Sequence, residues 1–173
     1  MSSDVSSIPA HQDVIRLRDA DFNEVAKLLS QYGLTLNLTH DNTDIPGSFW
    51  GDDEAGLIAD QVYARTDTPL HSILHESCHY ICMDQSRRRE LHTNAGGTAD
   101  EENAVCYLQI ILSNELTCMG AKMMMKDMDS WGYSFRLGSC AAWYQDDTVD
   151  EVEWLLSHGI ITESNKPTFL LRQ

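Results

Sequence analysis

The sequence has few basic residues and no long apolar run. Twelve Lys and Arg residues stand against 27 Asp and Glu, which gives a formal net charge of −15. A surface of this charge repels phosphate backbones and anionic lipid, so neither nucleic acid nor a membrane is expected as a partner. No apolar run approaches the roughly 20 residues that span a bilayer. The amino terminus lacks the features of a secretory signal, and we therefore expect a cytoplasmic protein.

Cysteine pairs with the spacing C-x-x-C are also missing. The chain has five cysteines, an odd number, at positions that form neither a zinc ribbon nor a dithiol redox motif (Cys78, Cys82, Cys106, Cys118 and Cys140). In a reducing compartment, free buried thiols are the expected state of such residues.

The length and the apolar content predict a single α+β domain. A chain of 173 residues with 42% hydrophobic content can bury one substantial core. We expect residues 1–12, which are rich in serine, to be frayed and residues 13–173 to form the domain. Periodicity predicts a helix at 19–32, strands at 34–39 and 56–65 with a bulge near Gln61, a buried helix at 68–83 and a long helix at 99–116. Short helices are expected in the remainder, so the second half is mostly helical.

The stretch HSILHESCHYIC, residues 71–82, carries three histidines spaced four apart. Residues four apart on a helix lie close enough for two imidazoles to reach one ion, whereas residues eight apart are separated by about 12 Å. His71 and His79 therefore cannot share a metal. Of the two remaining pairs, only His75 and His79 enclose a glutamate, in the arrangement H-E-x-x-H. Glu76 lies about 100° round the helix from His75, where it can accept a proton without coordinating the ion. We expect His71 to be a core histidine or to support a ligand.

This motif resembles that of the zincin metallopeptidases. The resemblance implies a small sheet packed on a buried active-site helix, preceded by the edge strand that binds extended substrate in zincins. It also implies Zn²⁺ held by His75, His79 and a third residue, with one position left for water. The metzincin spacing H-E-x-x-H-x-x-G-x-x-H is absent. The resemblance therefore falls on gluzincins, in which a glutamate from a later helix completes the ligand set.

Three acidic residues begin the following helix and are candidates for the third ligand: Asp100, Glu101 and Glu102. If Val105 marks the centre of the buried stripe, Glu101 lies about 40° to one side and Glu102 about 60° to the other, nearer Gln109. Glu101 is the better choice on this wheel, and Glu102 remains the alternative.

A second comparison also favours Glu101. The segment E-E-N-A-V-C, residues 101–106, resembles the E-A-N-x-F-A helix of small gluzincins such as the ImmA/IrrE family, with Glu101 at the ligand position and Asn103 at the asparagine. The match departs at Val105, where that family favours an aromatic residue. Thr98 and Glu101 also have the spacing of a capping box, so Glu101 has an alternative role at the helix start.

Together these features predict a small zinc-dependent metallopeptidase that hydrolyses a peptide or protein substrate, with Glu76 as general base. A catalytically silent zincin scaffold with a structural zinc is the alternative, acting as a binding or regulatory protein. Oligomeric state is not predicted. Five side chains are of the type that stabilises an oxyanion, and the sequence does not choose among them: His92, Tyr133, Arg136, Tyr144 and His158.

Overall fold

A computed structural model describes residues 14–173, and the predicted frayed segment 1–12 lies outside them. Within the described range the chain is a mixture of helices and one small sheet. Its helices are α1 (Phe22–Ser30), α2 (Leu70–Cys82), α3 (Gln85–Arg89), α4 (Ala99–Ser113), α5 (Ala121–Trp131), α6 (Cys140–Asp146) and α7 (Val149–Ser157). Its strands are β1 (Thr35–Leu38), β2 (Gly56–Ile58) and β3 (Gln61–Ala64). The predicted helical second half is confirmed.

Helix α1 forms where the sequence predicts it. The Asp21 side chain caps its start by accepting from the backbone N–H groups of Asn23 and Glu24. Its apolar face buries Val25, Leu28 and Leu29 in the main core. The helix stops before Gly33, whose φ of 77° is unfavourable for residues with a side chain.

The three strands form a sheet in the order β1-β3-β2. Strand β3 pairs parallel to β1 and antiparallel to β2. The prediction of one bulged strand at 56–65 is wrong, because this segment is a hairpin. Leu57 pairs with Val62 and Ile58 with Gln61, which leaves Ala59 and Asp60 as the turn. Ala59 adopts a φ of 51° in that turn. Glycine or asparagine usually occupies such a position, so the alanine did not mark the turn in the sequence.

The outer edge of β2 is covered by the chain itself. Leu57 donates its backbone N–H to Gly47 O at 3.2 Å, and Thr93 donates to Leu57 O at 2.9 Å. Isolated bridges join Ser48 to Gly56 and Ile58 to His92. Neither strand of the hairpin that precedes α2 therefore presents a free edge of the kind expected for binding extended substrate, since β2 is covered and β3 lies between β1 and β2.

Helix α2 is the central helix. Of its 13 residues, all except His75 and Tyr80 are buried. It packs most extensively on α4, which is itself buried around almost its whole circumference. The helix begins after Pro69 without a side-chain cap. The hydroxyl of Thr68, the residue before that proline, accepts a hydrogen bond from Arg65 N.

Helix α4 ends at Ser113, three residues earlier than predicted. Helix α7 begins at Val149 without a side-chain cap, and the Thr148 hydroxyl donates to Tyr144 O. Across residues 14–173, no helix combines the length and the apolar character that crossing a bilayer requires.

Candidate metal centre

Helices α2 and α4 bring two imidazoles and one carboxylate together. His75 and His79 are one turn apart on α2, and their rings meet edge to face with centroids 4.7 Å apart. Glu102, in the first turn of α4, reaches both of them. Its Oε1 lies 3.2 Å from His75 Nε2, and its Oε2 lies 3.0 Å from His79 Nε2.

The spacing of these donor atoms suits a single ion. Zn²⁺ with ligand bonds of about 2.1 Å in tetrahedral geometry separates its donor atoms by roughly 3.4 Å. The two nitrogen-to-oxygen distances, 3.2 and 3.0 Å, are close to that value. One ligand atom from each of the three residues lies within 4.8 Å of the others. His75, His79 and Glu102 can therefore hold a metal ion, and this donor set does not by itself identify the metal.

The structure places Glu102, and not Glu101, beside the histidines. The Glu101 side chain is buried on another face of α4, where its carboxylate accepts hydrogen bonds from Arg87 and Arg172. Consecutive helical residues differ by about 100° in direction, so the two carboxylates meet different partners. Thr98 does cap the helix by accepting from Glu101 N at 3.2 Å, but the Glu101 carboxylate pairs with the arginines. The structure therefore does not support the preference for Glu101, because the carboxylate that lies with His75 and His79 is that of Glu102.

The helical wheel failed because α4 has no single inward face. From Ala104 to Ser113 every residue is buried, so a stripe centred on Val105 does not identify the side that meets α2. One signal was present in the sequence. Gln109 is polar within this apolar run and lies seven residues, almost two full turns, beyond Glu102 on the same face. A buried polar side chain requires a hydrogen-bonding partner, so Gln109 indicated that this face of α4 meets a polar group such as the histidines.

Gln109 contacts His75 on the ring nitrogen that faces away from Glu102. Its Oε1 lies 2.8 Å from His75 Nδ1, and because an amide oxygen can only accept, Nδ1 must be the donor. His75 then presents Nε2 toward Glu102. Gln109 Nε2 donates to His71 O at 2.9 Å, which ties the amide to the backbone of α2.

His71 supports this arrangement and is not part of the donor set found among residues 14–173. The His71 side chain is fully buried, and its Nδ1 shares a hydrogen bond with Tyr133 Oη at 3.2 Å. Gln109 Nε2 lies 3.5 Å from the same hydroxyl. A polar network therefore connects His71, Tyr133 and Gln109 to the ring of His75, in agreement with the supporting role expected for His71.

Glu76 follows His75 in α2 and is buried, with 7% of its surface exposed. Burial raises the pKa of its carboxyl, and the charges of His75 and His79 oppose that rise. Within residues 14–173 the carboxylate has neither a hydrogen bond nor an ion pair of its own, although it borders two cavities. It is placed to exchange a proton with a molecule in those cavities.

Glu102 is held in its charged form. Burial acts to raise the pKa of this carboxyl, but hydrogen bonds from His75 and His79, together with their charge, outweigh it and bring the pKa well below its ordinary value. A carboxylate that stays ionised is the form that coordinates a cation.

Two cavities meet above the three donors. They have volumes of about 400 and 450 Å³ and share Trp50, His75, Glu76 and Glu102 in their walls. The first cavity continues along the backbone of residues 93–99 and beneath Phe49. The second continues between Glu54 on one side and residues 131–135 on the other. The site is therefore open on both sides of the donor group.

Of the five candidates for oxyanion stabilisation, Tyr133 alone borders these cavities, and its ring centroid is 5.5 Å from that of His75. The other four contact residues elsewhere. Arg136 pairs with Asp147, and His92, Tyr144 and His158 make hydrogen bonds to nearby loop or helix residues.

Comparisons of the chain with protein-family models, with curated proteins and with solved structures each find no match. The resemblance to gluzincins therefore depends on the H-E-x-x-H motif and on the donor group that the fold assembles around it.

Proposed function

We propose that the protein is a zincin-like, zinc-dependent hydrolase that cleaves peptide bonds, with His75, His79 and Glu102 as metal ligands and Glu76 as general base. The observation that carries this proposal is the open donor group. Three donors converge where two cavities meet, and a buried carboxylate without a partner among the described residues stands beside them.

The number of donors favours a catalytic metal over a structural one. Structural zinc sites are closed by four protein ligands, whereas catalytic sites use three and leave a position open. Three donors are present in the described part of the chain; the first cavity borders all three, and the second borders His75 and Glu102. A set of two histidines and one glutamate is also a ligand combination of zinc peptidases.

Each residue has a distinct part in the proposed reaction. A zinc ion in this site would supply Lewis acidity that lowers the pKa of water and polarises the substrate carbonyl. Glu76, whose pKa is raised by burial, takes the proton of the attacking water and returns it to the leaving amine. Gln109 keeps His75 in the tautomer that directs Nε2 to the site.

The covered edge of β2 affects how substrate would lie. Because residues 47 and 91–93 already pair with that strand, a substrate backbone would run along residues 93–97, which form the wall of the first cavity. Phe49 and Trp50 are both more than half exposed and border this cavity. Such exposed aromatic side chains at a cleft suit contact with a peptide.

Zinc content and hydrolysis, measured on the same samples, test the proposal. Wild-type protein is expected to bind one zinc per chain and to cleave peptides in a mixed library. Glu76→Gln should retain the zinc and lose hydrolysis, because the amide cannot accept the proton. Glu153→Gln makes the same chemical change on an exposed residue of α7 and should alter neither.

A different pattern would favour the alternative of a binding or regulatory protein. In that case wild-type protein would bind zinc without hydrolysing any peptide, Glu76→Gln would have no effect, and His75→Ala would lower stability by removing a ligand. Hydrolysis retained by Glu76→Gln would contradict the proposed mechanism.

A further inference from the structure

The second cavity has aromatic walls and, away from the donor group, one carboxylate. Trp50, Trp131, Tyr133 and Phe135 border it, together with Glu54. We call these five residues the aromatic subsite. The cavity has a volume of about 450 Å³ and shares His75, Glu76 and Glu102 with the donor group. A side chain bound there would belong to a residue next to the bond that is cleaved.

Glu54 is held in position by one of these aromatic residues. Trp131 Nε1 donates to Glu54 Oε1 at 2.8 Å, and the other carboxylate oxygen has no hydrogen bond or ion pair within residues 14–173. Burial raises the pKa of Glu54, while the hydrogen bond from Trp131 opposes the rise. A carboxylate in such surroundings gains from a positive partner, because burial has removed part of its hydration.

The walls of both cavities contain carboxylates but no permanently cationic side chain among the described residues. No Lys or Arg of the described range borders either one, and the charged residues that do are Glu54, Glu76 and Glu102. One arginine does contact a residue of the subsite, since Arg16 Cζ lies 5.8 Å from the Trp131 ring centroid. Arg16 does not border the cavity and is paired with Asp53 at 2.7 Å.

We infer that the aromatic subsite binds the basic side chain of a peptide substrate, with arginine preferred. This inference rests on the proposed function, since it assigns the specificity of the same site. Aromatic faces attract a guanidinium through their quadrupoles, and the planar guanidinium also stacks on them. A carboxylate can accept two hydrogen bonds from the same group in a geometry that the ammonium of lysine does not match.

Binding of two small probes tests the inference without requiring hydrolysis. The probes are N-acetyl-arginine N-methylamide and the citrulline counterpart, which replaces the guanidinium with a neutral urea of almost the same shape. Calorimetric titration of the zinc-loaded wild-type protein is expected to give at least about tenfold tighter binding of the arginine probe, since it alone forms the cation–π and charge-assisted contacts.

Three variants then test whether the aromatic subsite causes the preference for the arginine probe. Glu54→Gln should reduce it to roughly threefold or less, because the amide retains the shape and loses the charge. Asp52→Asn removes the same charge two residues earlier, at an exposed side chain outside the cavity wall, and should leave the preference unchanged. Trp50→Ala, at a residue that is 71% exposed and thus tolerant of substitution, should weaken the arginine probe roughly two- to fivefold.

Equal binding of the two probes to wild-type protein would overturn the inference. So would a preference that survives Glu54→Gln, because the arginine probe would then be binding elsewhere on the acidic surface. Hydrolysis of peptides is measured separately from binding of the probes. Cleavage of peptides without an arginine preference refutes the subsite alone, whereas an arginine preference in a protein that cleaves no peptide refutes the hydrolase alone.

Discussion

Glu101 and Glu102 are adjacent in the chain but meet different partners, and a pair of matched substitutions separates their roles. Glu101→Gln and Glu102→Gln each remove one negative charge and keep the shape of the side chain. The first residue is tied to two arginines, and the second faces the two histidines. The two variants should therefore differ in which property is lost.

Glu102→Gln should mainly affect metal binding. Loss of a residue that supports a ligand typically costs 10- to 100-fold in affinity, so loss of an anionic ligand should cost at least about 100-fold. The stability of the metal-free protein should change little, by about 1 kcal/mol or less, because 46% of the Glu102 side chain is exposed.

Glu101→Gln should mainly affect stability. Removing one member of a fully buried ion pair costs about 3–5 kcal/mol. Here the Glu101 side chain is 3% exposed, but those of Arg87 and Arg172 are 32% and 25% exposed and regain some hydration. We therefore expect a loss of about 2–3 kcal/mol, which lowers the unfolding temperature of a chain this long by about 4–12 °C. Zinc affinity should be close to that of wild type.

Zinc affinity from titration against a competing chelator and unfolding of the metal-free proteins in urea give both quantities. The outcome that would refute the reasoning is the reverse pattern, in which Glu101→Gln loses zinc and Glu102→Gln retains it. Equal loss of zinc by the two variants would also refute it, since only one of the carboxylates faces the histidines.

Substitutions at three further positions give independent tests. Gln109→Leu removes the acceptor behind His75 and should lower zinc affinity about 10- to 100-fold in chelator competition, whereas Gln109→Glu keeps an acceptor and should lose less. His71→Phe should retain one zinc per chain by elemental analysis, because the His71 ring contacts Tyr133 and lies outside the donor set. Leu108→Ala opens a cavity at a fully buried position and should lower the free energy of unfolding by about 2–5 kcal/mol in urea; a loss below about 1 kcal/mol would contradict that packing.

Features set by local helical geometry were predictable from the sequence. The spacing of His75 and His79 places both imidazoles on one face whatever surrounds the helix, and the structure confirms that they converge. Helix α1 was equally predictable, since its cap, its apolar face and its terminating glycine all lie within one short segment.

Features that depend on distant partners were not predictable. The direction of Glu101 is decided by Arg87 and Arg172, which come from α3 and from the end of the chain. A helical wheel of α4 does not show these two partners, because they lie outside the helix. The face of α4 that meets α2 was indicated in the sequence by Gln109 alone.

The hairpin and the cavity walls were not predicted, for two other reasons. The turn at Ala59 and Asp60 contains no glycine, proline or asparagine, so two short strands read as one. Trp50 and Glu54 come from a long loop whose path is set by contacts with β2 and α5. Such contacts carry no periodic signal in the sequence.

Anomalous scattering at the zinc edge from crystals of the zinc-loaded protein tests the metal site directly. The expected result is one peak within about 2.0–2.2 Å of His75 Nε2, His79 Nε2 and an oxygen of Glu102, with solvent as the remaining ligand. The absence of a peak between these atoms, coordination by Glu101, or a fourth side chain such as Cys106 closing the site would contradict the proposal.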